Sequence, residues 1–249
     1  MNKLFSFIIL FFISTNYLNA QTDETQTSQI IYSLPSPLEY ASVLSKLSTN
    51  IATDSLLPLK ANEKELAVQQ KALLLGGYYY DAGLFLVLQK PADFKKRIPF
   101  IKSLFEQLAI PFPGEFENRV NRNINKADSL SEIFAELEFE TDEYLTDNNR
   151  KDLAQLISIG GILEGIYISA RSFSPGEKNE TEMMGDFGIV MKNVEEISRQ
   201  KNFYQPAFLL VKKIKNNLPS KDNDDAFVSK HHSVLIDASG EIRKMMLEK

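Results

Sequence analysis

The run Asp152-Leu-Ala-Gln-Leu-Ile-Ser-Ile-Gly-Gly-Ile-Leu-Glu-Gly-Ile-Tyr-Ile-Ser-Ala170 constrains this chain more than any other stretch. Leu153, Leu156, Ile157, Ile159, Ile162, Leu163, Ile166 and Ile168 cover nearly every direction of a helical wheel, which predicts a helix buried on most sides. Gly160, Gly161 and Gly165 would each weaken an isolated helix by about 1 kcal/mol relative to alanine. Their use is to remove side chains where another backbone comes close. The run approaches membrane-spanning length, and Gly161 and Gly165 have the GxxxG spacing of paired membrane helices. Gln155, Ser158 and above all Glu164 argue for a protein interior instead.

A relative of this run lies at Lys71-Ala-Leu-Leu-Leu-Gly-Gly-Tyr-Tyr-Tyr-Asp-Ala-Gly-Leu-Phe-Leu-Val-Leu88. The order repeats: an apolar run, a glycine pair (Gly76 and Gly77), large side chains, an acid, a glycine, more apolar residues. The two glycine pairs are 84 positions apart. This predicts two central helices, packed on each other or on equivalent neighbours, and raises an internal duplication.

The N-terminus reads as an export signal. Met1-Asn2-Lys3 is short and basic, Leu4 to Ile13 is almost wholly apolar, and Leu18-Asn19-Ala20 suits cleavage before Gln21. Gln21 to Gln29 is a polar lead of the kind that stays disordered. The expectation is therefore a periplasmic or secreted protein, cleaved near Ala20, with no membrane span in the mature chain. The chain has no cysteine, which excludes disulfides, thiolate metal sites and a lipid-modified cysteine after the signal. Its net charge of −5, without a basic stripe, excludes a general nucleic-acid binder.

Ser33-Leu-Pro-Ser-Pro-Leu-Glu39 is the clearest local signal: Ser36 caps, Pro37 suits the first helical position, and Glu39 completes a capping box. This helix runs to about Ser48. Asn62 with Glu65 gives the same logic for the first glycine helix. Asp93 to Ala109 reads as a helix with a kink or late start at Pro99, and Glu115 to Ile124 as a short one. Asp128-Ser129 opens the next, whose acidic face is solvated. Asp147 or Asn148 caps the central helix. Thr181 to Gln200 and a helix from Pro206 follow, then a charged linker, Lys221 to Asp225. The segment from Phe227 to Leu247 is helical with a turn at Asp237-Ala-Ser-Gly240. Alternating strand patterns are scarce, so the fold class is all-α: a compact bundle of about eight helices around two glycine-rich apolar helices. The domain layout is signal peptide 1–20, disordered lead 21–30, helical domain 31–219, and linker with C-terminal helical segment 220–249.

Tyr32-Ser-Leu-Pro-Ser-Pro-Leu-Glu39, Lys71-Ala-Leu-Leu-Leu-Gly76 with Tyr78 and Asp81, and Gly160-Gly-Ile-Leu-Glu-Gly-Ile-Tyr167 together resemble a group of exported all-helical proteins of Gram-negative bacteria. Members open with a Pro-Ser-Pro-Leu-Glu helix and carry a Gly-Gly-aromatic-Ile-Glu-Gly helix. Here Ile162 stands where the group has tryptophan, so a role for that indole does not carry over. The resemblance covers residues 31–172. It implies export and architecture and transfers no catalytic residue.

Asp81 and Glu164 are the polar residues that most need an explanation. A carboxyl in an apolar helix either pairs with a cation or donor, or takes up a proton. Arg119, Arg122 and Arg150 are the partners considered. The structural reading is a buried network that fixes helix register. The functional reading is a binding groove beside Tyr78, Asp81, Glu164 and Tyr167. Of Tyr78-Tyr79-Tyr80, at least one must reach a polar partner or a cleft, because they cannot share one helix face. His231 and His232 lack the i, i+4 spacing of paired metal ligands, and no phosphate loop or catalytic triad is present, so neither metal nor cofactor is expected. Asn179-Glu180-Thr181, Asp54-Ser55-Leu56 and Asp128-Ser129-Leu130 match short glycosylation patterns that arise often by chance.

The functional expectation is an exported binding or interaction protein for a small molecule or an envelope protein. The first alternative is an envelope hydrolase using Asp81 and Glu164 as paired acids, with carboxyls about 5 to 10 Å apart across an open cleft. The second is a purely structural envelope protein. Ser36, Pro37, Glu39, Gly76, Gly77, Gly160, Gly161 and Gly165 are expected to be structural.

Overall fold

Glycines decide how the two apolar helices meet. In the computed structural model, which describes residues 34, 36–59, 65–175, 177–199, 204–219 and 225–248, a Cβ on Gly76 would lie 1.8 Å from the carbonyl oxygen of Ile157, and one on Gly160 would lie 2.0 Å from that of Leu73. No side chain fits at either place. The spacing of 84 relates Gly76 to Gly160 and also Leu73 to Ile157, so the crossing has a local two-fold character. The contacts Leu73–Gly160, Gly76–Gly161, Gly77–Glu164 and Tyr80–Gly165 advance together, so the two helices run in the same direction.

These helices are α2 (Val68–Val87) and α6 (Lys151–Ser172). The others are α1 (Pro37–Leu47), α3 (Pro91–Gln107), α4 (Phe116–Arg122), α5 (Ala127–Asp147), α7 (Lys178–Ser198), α8 (Gln205–Asn217) and α9 (Asp225–Leu247), with a 3-10 turn at Thr53–Ser55. Among the described residues there are nine α-helices and no strand, and Ser36–Lys249 forms one compact unit. The fold is the expected all-α bundle. Helices α2 to α5 and α6 to α9 follow the same order: a glycine helix, a long helix, a shorter one, a long one. Helices α5 and α9 each pack against both glycine helices. On α5, Thr141 donates to the Leu137 carbonyl; on α9, Ser239 donates to that of Leu235. These equivalences support the duplication, with α1 outside it.

Helix α1 seats where further glycines leave room. Ser36 N–H donates to Glu39 Oε2 at 2.7 Å and Glu39 N–H to Ser36 Oγ at 3.2 Å, the expected capping box. Pro37 then lies over Gly161, where an added Cβ would come within 2.7 Å of its ring, and Leu38 lies over Gly83. The Pro-Ser-Pro-Leu-Glu start and the glycine helices are thus two halves of one contact. Helix α6 has the length and mean hydropathy (1.5) to cross a membrane, yet 89% of that window is buried within the protein.

Several boundaries differ from expectation. Helix α3 starts at Pro91 and continues through Pro99, because Pro99 is on the solvent face, where water can bond the carbonyl that it leaves free. Helix α2 starts at Val68; its Gln70 side chain accepts the Ala67 N–H at 2.9 Å, and alanine supplies no reciprocal acceptor. Asn62 of the expected cap lies outside the described residues, as do the signal peptide 1–20, the lead 21–30 and the linker 221–224. Helix α6 starts at Lys151 without a side-chain cap from Asp147 or Asn148. The turn expected at Asp237–Gly240 is helix: Ala238 and Ser239 are buried, and this packing outweighs the local cost of Gly240. Helices α2, α3 and α5 end alike, with Gln89, Ala109 and Asn149 at positive φ (55°, 51° and 57°). Each ending is closed by a six-residue backbone bond, such as Ile110 N–H to Phe105 O at 2.8 Å.

Candidate functional site

Asp81 and Glu164 come together in the interior, both with no solvent exposure. Their partners are not the arginines considered from the sequence. Arg119 pairs with Glu136 and Arg122 with Glu115 at the surface, while Arg150 donates to the Leu108 and Ala109 carbonyls at the end of α3. Asp81 Oδ2 instead lies 3.4 Å from Arg97 Nη1, and Glu164 Oε2 lies 2.8 Å from Arg243 Nε. Arg97 occupies the buried stripe of α3 with Phe94, Ile98 and Ile101, at helical spacing, so the sequence did carry a sign of it. Arg243 comes from α9, whose sequence signals were weak.

The Asp81–Arg97 half is a clamp. Leu57 N–H donates to Asp81 Oδ2 at 2.9 Å, and the Leu57 carbonyl accepts from Arg97 Nη1. Both backbone polar groups of one buried residue are thereby satisfied, which pins the segment between α1 and α2 onto the glycine helices. Tyr78 joins it: its hydroxyl donates to the Pro58 carbonyl at 2.8 Å, and Arg97 lies over its ring at 5.8 Å. Tyr79 reaches Thr141 on α5 at 2.9 Å, whereas the fully buried Tyr80 ring lies against Gly165. The three tyrosines take three directions, as helix geometry requires.

The Glu164–Arg243 half is less well satisfied. Although Nε is 2.8 Å from Oε2, no N–H points along that line, and Arg243 Nη2 is buried without a hydrogen-bond partner. The guanidinium carbon lies over the Tyr167 ring, 4.2 Å from its centroid. Asp81 and Glu164 are close enough to influence each other's titration. Burial raises both pKa values. For Asp81 the arginines and the Leu57 N–H oppose the rise. For Glu164 the negative charge of Asp81 adds to it, and the value goes well above the usual carboxylate range. The proton therefore resides on Glu164, and Arg243 is left with little neutralising charge in its vicinity.

Above Arg243 opens a cleft of about 470 Å³, lined by Asp54, Ser55, Tyr167, Gly240, Arg243 and Lys244 with residues around them. Of the expected groove residues only Tyr167 lines it. Tyr78, Asp81 and Glu164 lie in the buried layer, and their link to the cleft is through Arg243. Glycosidase chemistry needs two carboxyls about 5 Å or more apart. Both carboxyls of this pair are fully buried and reach no solvent, so no open cleft lies between them. The histidines serve elsewhere: His232 Nδ1 is 2.5 Å from Glu180 Oε1 in a buried contact between α9 and α7, and His231 bonds the Phe227 carbonyl. Among the described residues no group of three or more His, Asp or Glu side chains could hold a metal ion. In comparisons with known proteins, no family model matches the chain, and no curated protein and no solved structure matches it.

Proposed function

We propose that the chain is an exported helical binding protein, periplasmic or secreted, whose ligand seats in the cleft above Arg243 and Tyr167. The observation that carries this reading is a charged side chain only 12% exposed, short of hydrogen bonds, at the floor of an open cleft. Such a group costs stability unless something completes it. The cleft is also a fixed shape: the Asp81–Arg97 clamp holds one wall, and Gln70 holds the end of α9 through the Met245 and Glu248 carbonyls at 2.6 and 2.9 Å. A preformed site loses little ordering entropy on binding. Native mass spectrometry of protein purified gently from its own envelope tests the reading. We expect a retained small-molecule adduct that disappears in Arg243→Gln; a bare mass across mild conditions counts against it. The purely structural reading rests on the clamp, which satisfies the Leu57 backbone from within the protein and needs no ligand.

A further inference from the structure

The chemistry of the cleft says more about what would fill it, given the binding reading above. Its charged lining divides by burial. Asp54 and Glu248 are exposed at the rim, where water and salt screen them, and Glu248 is already 3.7 Å from Lys244. The guanidinium of Arg243 is mostly buried, so its charge acts across a less polar medium and dominates the floor. Ser55 adds a donor: its oxygen accepts Arg171 Nε–H at 2.8 Å, which leaves its own proton to point into the cleft. Tyr167 backs the guanidinium at 4.2 Å, and with Nε and Nη2 buried, Nη1 is the nitrogen left to donate to an oxyanion in the cleft.

We propose that the cleft binds a small molecule through an oxyanion group, a carboxylate or a phosphate, held by Arg243 and Ser55 with Lys244 at the rim. Removing the guanidinium abolishes binding.

The test is isothermal titration of the purified protein at low salt with two probes, succinate and inorganic phosphate. At least one should bind saturably at one site. Arg243→Gln should weaken it by about tenfold or more. Succinate alone binding marks a carboxylate ligand, phosphate alone a phosphate ligand, and both a general oxyanion site. If Arg243→Gln does not fold, Ser55→Ala and Lys244→Gln decide: each should weaken binding several-fold with the melting temperature unchanged. The proposal is overturned if neither probe binds the folded wild type, or if the Arg243 and rim variants bind as the wild type does. A neutral or cationic adduct in native mass spectrometry, with no anion binding, would keep the binding reading and remove this one. Absence of both would remove both.

Discussion

At residue scale, Asp81, Glu164, Arg97 and Arg243 are four ionisable groups in one interior, with three charges between them when Glu164 is protonated. The raised carboxyl pKa values make stability depend on pH with a definite sign. An acid raised in the folded state contributes stability that is complete below its unfolded pKa, near 4, and is lost as pH rises through the folded value. For Asp81, raised by burial to about 6, that window spans the weakly acidic range; for Glu164 it extends higher. Glu164→Gln removes one such group. Relative to wild type, this variant should gain stability between pH 5 and pH 8, by about 2 kcal/mol in denaturant midpoints. A relative loss over the same range would mean that Glu164 is ionised in the folded protein.

At the scale of elements, two glycine effects of opposite sign separate cleanly. Gly160→Ala would place a methyl 2.0 Å from the Leu73 carbonyl, backbone that cannot step aside without parting α2 from α6. The expected cost is about 3 kcal/mol or more, seen as loss of soluble protein or of the cooperative melt. Ala109→Gly acts the other way. Ala109 closes α3 at φ 51°, a conformation that costs a side chain about 1 kcal/mol, so glycine should raise stability by a comparable amount. The sequence made the glycine crossing and the α1 cap legible because both are local patterns with one physical solution. It concealed the partners of the acids. Arg97 stands in Lys95-Lys96-Arg97, which reads as solvated charge until its place three residues after Phe94 is weighed, and Arg243 sits on a helix that tertiary packing, more than propensity, sustains. The cleft depends on three segments far apart in the chain, and no single stretch announces it.

For the whole molecule, the two helix quartets share a core in which α5 and α9 each touch both glycine helices, so neither quartet encloses its own apolar interior. The close approach at Gly76 and Gly160 exists only when both quartets are present. Separated, each would expose the apolar face of a glycine helix with nothing to cover it, a state that aggregates or stays unfolded. A chain cut at the exposed turn Asn148–Asn149 should therefore give two pieces that are insoluble or unstructured singly and that regain helical signal and a cooperative melt when refolded together. Independent folding of either piece would show that its glycine helix finds cover within its own quartet. The cut also divides the cleft, with Ser55 on the first piece and Tyr167 and Arg243 on the second. Succinate or phosphate binding would then report on reassembly itself, and the split protein would act as a two-part sensor in which recovered affinity signals that the halves have met.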